Sequence, residues 1–341
     1  MPWEIVRPGT QIDFIGKRQL AAVLSVGLIL AGMLAIPING VQLGIDFAGG
    51  TEVQLEFAPG VEASDGAIRD VLTDALEISE PSVVRYGDAA DNAFLVKFPG
   101  NINEVLEGEQ PEAAGEADVV GTDLIVNLER AIEGAVGQVS IERVEFVGPR
   151  VGKELRADGL QSLLYASIAI LIYIAFRFNT RYAPGAIVAV IHDLTITAGI
   201  FVILGMEFDL RILAAMLAIL GYSLNDTIII YDRIRENMEL HTSLDLPEVL
   251  NQSVNQTLSR TILTSGTTLA ALLALYFLGG QVIQPFAFAM ILGVMVGTYS
   301  SIYIAAPVLL LLERRYGKGA AHEQAARQKK QKAREARKAK A

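Results

Sequence analysis

The sequence predicts an α-helical polytopic membrane protein, with six transmembrane helices and one α+β domain between the first and second of them. Three observations predict this class. First, 52% of the 341 residues are hydrophobic and the mean hydropathy is +0.39, values that fit a membrane protein better than a soluble one. Second, the chain contains six apolar runs of roughly bilayer-spanning length. Third, an acidic segment of mixed periodicity separates the first run from the second.

The first apolar run, Leu20–Ile38, follows the polar N-terminal residues 1–19 and is the predicted first transmembrane helix. At 1.5 Å per residue it spans roughly 30 Å, the thickness of the hydrocarbon core. It lacks a small-residue cleavage site followed by a soluble body, so we expect a retained helix and not a signal peptide. Residues 156–312 are predicted to form a bundle of the other five helices. Their apolar runs are Leu160–Phe176, Ala183–Leu204, Ile212–Ile230, Thr261–Leu278 and Pro285–Leu312.

Basic residues in the short connections give the orientation. If six spans alternate, all of these residues fall on one side, and the positive-inside rule makes that side cytoplasmic. Both termini are therefore predicted to be cytoplasmic. Residues 313–341 hold 11 basic and 3 acidic side chains and are predicted to form a basic cytoplasmic tail that fixes topology, with contact to anionic lipid or ribosomal RNA as the alternative. The flanking basic residues are Arg7, Lys17, Arg18, Arg177, Arg181, Arg233 and Arg235.

Residues 39–155 are predicted to form the α+β domain on the opposite, periplasmic side. They hold 23 acidic and 7 basic side chains, a net charge of −16. Helices are expected after a Ser64 cap and over Asp123–Val136, with a turn at Gly87–Asn92 and a loop at Pro99–Val119. The element order βαββαβ matches the ferredoxin-like motif. The strand candidates are Thr51–Phe57, Ser82–Tyr86, Ala93–Phe98 and Val139–Val147, the last with a bulge near Arg143.

Charged residues inside the apolar runs are the candidate functional groups. Asp226 lies in the fourth run, the pair His192-Asp193 near the middle of the third, and Arg260 at the start of the fifth. A charge at the bilayer centre costs about 3 kcal/mol or more, so such residues are functional hypotheses by default. Three further residues are predicted to support them as polar neighbours, two of them on the helix face of Arg260. These supporting residues are Asn225, Thr264 and Thr268.

Asp226 and Arg260 are predicted to lie at similar depth near the cytoplasmic side, where they can pair. Protonation of the carboxylate would release the pair, as a proton-driven conformational switch requires. Asp193 is a second candidate proton site, whereas His192 is better explained by packing or a hydrogen bond. The alternative is a static buried ion pair that holds two helices together, with hydroxyls that only bind backbone carbonyls. Glycines in the last two spans are expected to allow close helix approach. These are Gly266, Gly293 and Gly297.

Most other chemistry is excluded by the sequence. There is no GxxxxGK[ST], HExxH, CxxC or GxSxG motif, and there is no cysteine at all. An intramembrane aspartyl protease is disfavoured because Leu224-Asn225 precede Asp226 where that class has Gly-x-Gly. We therefore predict no catalytic residue, metal or cofactor, and do not expect an enzyme.

Over residues 10 to 315 the chain resembles the SecF branch of the SecD/SecF family of protein export membrane proteins, in the resistance-nodulation-division superfamily. The resemblance depends on six motifs that occur in family order. They are Gly44-Ile-Asp-Phe-Ala-Gly-Gly-Thr51, Val147-Gly-Pro-Arg-Val-Gly-Lys-Glu-Leu155, His192-Asp193, Gly221-Tyr-Ser-Leu-Asn-Asp-Thr227, Asp232-Arg-Ile-Arg-Glu-Asn237 and Ser259-Arg-Thr-Ile-Leu-Thr-Ser-Gly-Thr-Thr268.

The resemblance implies a subunit of the SecDF accessory complex of the Sec translocase, which uses the proton motive force to promote late steps of preprotein translocation. It implies a bacterial cytoplasmic (inner) membrane location and the partners SecD, the SecYEG channel, SecA, YajC, translocating unfolded polypeptide and membrane lipid, with no nucleic acid. By motif match, Asp226 and Arg260 correspond to family residues implicated in proton transport, and Asp193 is a weaker match.

Two alternatives remain open at this stage. One is a stand-alone proton-coupled exporter of the same superfamily, against which six spans instead of twelve argue. The other is a scaffold whose buried charges only lock helices together.

Overall fold

Long helices and one small sheet make up the computed structural model, in which residues 10–75, 78, 81–86, 92–99, 117–178, 182–241 and 244–316 are described. The predicted roles of Arg7 and Arg181, nearly all of the predicted turn at 87–92 and loop at 99–119, and the tail beyond residue 316 lie outside the described residues. The elements in chain order are α1 (Arg18–Asn39), α2 (Ile45–Ala48), β1 (Gly50–Phe57), α3 (Asp65–Asp70), β2 (Ser82–Tyr86), β3 (Ala93–Phe98), α4 (Ala117–Ala135), β4 (Val139–Val147), α5 (Pro149–Phe178), α6 (Ala183–Leu204), α7 (Leu210–Leu240), α8 (Leu246–Leu278), α9 (Gln284–Ser300) and α10 (Ala306–Tyr316).

The chain divides into two compact units. The helical unit contains the residues up to Gln42, Gln161–Met206 and those from Arg211 onward. The sheet unit contains Leu43–Leu160 and the short segment Glu207–Leu210.

Six helices are long and apolar enough to span a membrane, which confirms the six predicted spans. The bounds of α6 agree with the prediction, but three other helices are longer than their apolar runs. Helix α5 begins at Pro149, inside the segment assigned to the α+β domain, while α7 continues to Leu240 and α8 begins at Leu246. Hydropathy misses the extensions of α7 and α8 because they are amphipathic. In α8, for example, Leu246 and Leu250 are buried within a polar stretch.

The extended start of α8 is fixed by local and distant contacts. Asp245 and Glu248 form a capping box at its N-terminus. One turn later, the Asn251 side chain accepts the backbone N–H of Phe14 at 2.8 Å and donates to the Ile12 carbonyl at 2.9 Å. The segment before α1 is therefore held against α8.

Glycines set the closest helix contacts in the helical unit. A Cβ on Gly32 of α1 would lie 2.7 Å from the Cα of Gly199 on α6, so the two backbones touch at a glycine pair. A Cβ on Gly293 of α9 would lie 2.2 Å from Ile219 on α7, and one on Gly297 would lie 3.0 Å from Ser223. The predicted close approach is confirmed at these two α9 positions. It is wrong for Gly266, which faces open space.

Helices α9 and α10 are joined by a π-helical turn, Ser301–Ala305, so the sixth span is one continuous rod with a wide turn. A π turn accommodates one extra residue, and such turns are frequent at functional sites. Here the consecutive residues Ser300 and Ser301 are both fully buried. A regular α-helix turns successive side chains about 100° apart, so the wide turn helps both hydroxyls to face inward.

The sheet unit is built on four antiparallel strands in the order β2-β3-β1-β4. The predicted bounds of β2, β3 and β4 are confirmed, as are the order of strands and helices, the Ser64 cap on Ala67 N (3.2 Å) and the bulge opposite Arg143. The second helix, α4, begins at Ala117, earlier than predicted. The core of this unit includes Val53, Leu55, Ile68, Leu72, Phe94, Leu128 and Ile132.

Candidate functional site

Asp193 is the centre of a buried polar cluster between three helices. Its side chain is 1% exposed. The hydroxyls of Ser223 on α7 and Ser300 on α9 both donate to its Oδ2, at 2.5 Å and 2.8 Å, and the Nδ1 of His192 lies 2.8 Å from its Oδ1. Both carboxyl oxygens therefore have partners, and the cluster joins α6, α7 and α9.

The cluster continues through His192 to α1. Its Nε2 lies 2.9 Å from the Ser25 hydroxyl, which lies 3.0 Å from the Tyr299 hydroxyl, and Tyr299 donates to the Ala21 carbonyl at 2.7 Å. The tyrosine proton is thus used on Ala21, so Ser25 donates to Tyr299 and Nε2 must donate to Ser25.

Asp226, on α7, is buried to 2% exposure but has far fewer partners than Asp193. Among the described residues its single hydrogen bond comes from Ser265 of α8, at 3.5 Å. Ser265 also lies 2.7 Å from Thr298 of α9 and 3.4 Å from the Tyr222 hydroxyl. This carboxyl group therefore sits in a pocket of hydroxyls that bind each other better than they bind the acid.

Arg260, on α8, lies close enough for its charge to act on Asp226. However, no ion pair within 4.0 Å joins the two in the described part of the chain, and Arg260 is exposed. The next residue, Thr261, has a buried hydroxyl without a hydrogen-bond partner among the described residues. Buried hydroxyl groups in native structures nearly always have a hydrogen-bond partner. Asp226 and Arg260 are thus near each other but do not form the predicted ion pair.

Among the described residues, none of the three predicted supporting residues forms a hydrogen bond with the Asp226 side chain. Thr264 donates to Arg260 O and Thr268 to Thr264 O, both within α8, and Asn225 is exposed with no hydrogen bond in the described structure. Sequence reasoning named Ser265 only as one of the row of hydroxyl residues that follows Arg260. The hydroxyls that it did not single out are Ser25, Ser223, Thr227, Thr298, Ser300 and Ser301. Their only signal is a serine or threonine within an apolar run, which is too common to single out.

A third set of hydroxyls lies next to the Asp193 cluster. Thr227, the residue after Asp226, is 2.9 Å from Ser301, and both hydroxyls also approach the Ser223 carbonyl, at 3.3 Å and 3.4 Å. Ser223 itself donates to Asp193 through its side chain. In the part of the chain that the structure describes, no hydrogen bond joins this set to the carboxyl group of Asp226. Among the described residues, no three His, Asp or Glu side chains are grouped to bind a metal.

Six helices are long and apolar enough to span a membrane, and two of them carry buried carboxyl groups. Together with a separate antiparallel sheet unit, they define a multi-pass membrane protein. Two family profiles match this sequence. "Protein export membrane protein SecD/SecF, C-terminal" matches residues 127–315, and "SecD/SecF GG Motif" matches residues 34–61. The chain belongs to the SecD/SecF family.

Similar proteins include two named "Protein translocase subunit SecF". The one from Desulfurispirillum indicum is 40% identical, over 89% of this chain and 93% of its own length. The one from Calditerrivibrio nitroreducens is 37% identical, over 91% of this chain and 97% of its own length.

Two solved SecDF structures also resemble the chain. The crystal structure of SecDF from Thermus thermophilus, described as a translocon-associated membrane protein, gives a TM-score of 0.75 at 34% identity over 90% of this chain. A SecDF in a super-membrane-facing form gives 0.65 at 35% identity over 94% of this chain. The chain spans only 39% and 41% of those two longer chains.

Proposed function

We propose that this chain is the SecF-type subunit of the SecDF accessory complex of the Sec translocase, and that it uses the proton motive force to promote late steps of preprotein translocation. Support comes from the SecF relatives, which the chain matches along nearly their whole length. The chain spans about two fifths of the solved SecDF chains, and this likeness supports a SecD-type protein as the proposed partner.

The observation that carries the proton part of this proposal is the poorly satisfied carboxyl group of Asp226. A buried ionised carboxylate needs several good hydrogen bonds or a paired cation, and this one has a single contact at 3.5 Å. Uptake of a proton removes that deficit. Loss of the proton creates a charge that the nearby Arg260 can neutralise by approaching. Asp226 and Arg260 thus form a proton-responsive pair, whose two side chains are separated in this structure.

Asp193 has a different part in the proposed mechanism. Two serine hydroxyls and the His192 ring hold its carboxyl group on α6 in a closed hydrogen-bond series. We assign it as a second candidate proton site. It is not the group whose charge changes the structure.

A face of α7 supports SecD as the partner. The exposed residues of this helix near Asp226 are small, whereas those of α1 and α5 are large and aliphatic or aromatic. Small residues mark helix-to-helix interfaces in membranes, because they let backbones approach closely. The SecD-type subunit would then cover α7 beside the proton site. The small exposed residues are Ala214, Ala218, Gly221 and Asn225.

The remaining assignments follow the same proposal. The protein lies in the bacterial cytoplasmic (inner) membrane with both termini in the cytoplasm, and residues 39–155 form a ferredoxin-like periplasmic domain. Residues 20–38 and 156–312 form the transmembrane bundle, and 313–341 a cytoplasmic tail. The complex acts with SecYEG, SecA and YajC on an unfolded polypeptide, without enzymatic chemistry of its own.

The test is Asp226→Asn, co-expressed with the SecD-type partner, in an assay of export stimulated by the proton motive force. We expect an assembled complex that has lost the stimulated part of export. Asp232→Asn is the matched control, because Asp232 is an exposed acid on the same helix. Stimulation that persists in an assembled Asp226→Asn complex would contradict the proton site. Loss of assembly would instead favour a static structural role for this acid.

A further inference from the structure

The three residues before α7 and its first residue, Leu210, belong to the sheet unit. Phe208 forms a parallel bridge with Leu43, and its carbonyl accepts the Gly44 N–H at 2.9 Å. The Glu207 carboxylate pairs with Lys97 of β3, which also pairs with Glu52 of β1 at 3.2 Å. Backbone and charged contacts therefore fix the segment Glu207–Leu210 to the sheet.

Asp46 adds a contact to the helix itself. Its Oδ2 accepts the backbone N–H of Leu210, the first residue of α7, at 3.0 Å. The first N–H groups of a helix have no partner within the helix, and an acid there also interacts favourably with the helix dipole. The following residue, Arg211, donates to the Val282 carbonyl at 3.0 Å inside the helical unit. Consecutive residues of α7 are thus held by different units.

Glycines position Asp46. The short helix α2, which carries it, has Ile45 and Phe47 buried and is followed by Gly49 and Gly50 at φ +79° and +134°. A Cβ on Gly49 would lie 2.7 Å from the Cα of Pro149, and one on Gly50 would lie 2.7 Å from the carbonyl oxygen of Phe98. Both positions exclude larger residues, by backbone conformation and by contact. The glycines of the motif that the GG profile matches therefore hold Asp46 in the position from which it caps α7.

We propose that Asp46 is a positioning residue that joins the start of α7 to the sheet unit, so that a shift of α7 caused by protonation at Asp226 moves that unit. This inference rests on the proposed function. An α-helix is stiff along its axis, and the stretch from Leu210 to Asp226 is about 24 Å long at 1.5 Å per residue. The contact between Asp46 and Leu210 therefore lies at one end of α7, and Asp226 lies near the middle of this helix.

The absence of cysteine makes a direct test available. A Cβ on Gly44 would lie 3.1 Å from the Cβ of Asp209. This is a few tenths of an ångström shorter than the usual disulfide range of about 3.5–4.5 Å, so a small shift of the backbone is enough to form the bond. Gly44→Cys with Asp209→Cys therefore gives a replacement joint that is closed by oxidation and opened by reduction. Each single cysteine variant, and the reduced double variant, are the controls.

The experiment measures export stimulated by the proton motive force in proteoliposomes that contain the SecD-type partner and the channel. Asp46→Ala is expected to lower the stimulated part about fivefold, the factor that corresponds to loss of one helix cap. The oxidised disulfide should restore stimulation in the Asp46→Ala protein, and reduction should remove it again. Asp65→Ala, which changes an exposed acid in the first turn of α3, should have no effect.

Three results would overturn the inference: full stimulation in Asp46→Ala, no restoration by the oxidised disulfide, or loss of stimulation when the disulfide closes in a protein that retains Asp46. A readout that does not need export separates this inference from the proposed function. Hydrogen–deuterium exchange of the purified complex should be faster in Asp46→Ala at the first turn of α7, and unchanged there in Asp65→Ala. A protein that shows the exchange difference but no stimulation in its unmodified form would contradict the proposed function alone.

Discussion

Asp193 and Asp226 are both buried carboxyl groups of the helical unit, and they lie on the successive helices α6 and α7. Asp193 receives two serine hydroxyls and contacts a histidine ring, and the hydrogen-bond series continues to a backbone carbonyl. Asp226 receives one hydroxyl at 3.5 Å and has an unengaged guanidinium nearby. Burial alone therefore does not identify a switching group. The state of its partners does, because a satisfied acid gains little by changing its protonation.

The largest expected difference between the two acids is in stability. Asp193→Ala leaves Ser223, Ser300 and His192 without their common partner, so we expect a loss of about 3–5 kcal/mol in the free energy of unfolding. Asp226→Ala removes one long hydrogen bond and should cost less than about 1 kcal/mol. Apparent unfolding temperatures of the two purified variants in detergent measure this. Equal losses would show that the two sites are structurally equivalent and would refute the comparison.

A smaller effect is expected from the glycine next to each cluster. Gly297→Ala places a methyl group 3.0 Å from the Cβ of Ser223, which donates to Asp193, and should cost about 1–3 kcal/mol. Gly266→Ala, beside Ser265 of the Asp226 site, meets open space and should stabilise the helix by about 0.5–1 kcal/mol. Thermal unfolding of the matched alanine variants tests the sign. A destabilising Gly266→Ala would mean that the Asp226 site is as tightly packed as the Asp193 site.

The smallest expected effect concerns one tyrosine hydroxyl in each cluster. Tyr299→Phe removes a 2.7 Å hydrogen bond to Ala21 and a contact with Ser25, and should cost about 1 kcal/mol. Tyr222→Phe removes only a 3.4 Å contact with Ser265 and should be neutral within about 0.5 kcal/mol. Chemical denaturation of both variants measures the two changes in the free energy of unfolding. The reverse order would indicate that the hydroxyls around Asp226 carry more of the packing than their distances suggest.

The six spans could be predicted from sequence because membrane burial is a local property of each segment. The strands β2, β3 and β4 were predicted to the residue for a similar reason, since turn residues and alternation mark their ends. The extensions of α7 and α8 were not, because burial of residues such as Leu246 and Leu250 depends on partners far away in the chain. The polar N-terminal segment that binds Asn251 is one of those partners.

The acids were found from sequence because a charge in an apolar run is rare, but their surroundings were not. Asp226 was expected to pair with Arg260 on the basis of depth alone, and depth does not determine the distance between two side chains. The choice of Ser265 over Thr264 as the neighbour of Asp226 depends on the rotation of α8. That rotation is fixed by packing at the start of the helix, and no local pattern reports it.

The wide turn at Ser301–Ala305 also bears on how related sequences should be aligned. A π turn holds one residue more than the α-helical turn it replaces, while the helix on either side keeps its facing. A relative whose last span is regular throughout would therefore align with a one-residue gap inside 300–306. Such a protein would keep the glycines of α9 and the buried leucines of α10 in register, and would present one inward hydroxyl where this chain presents two.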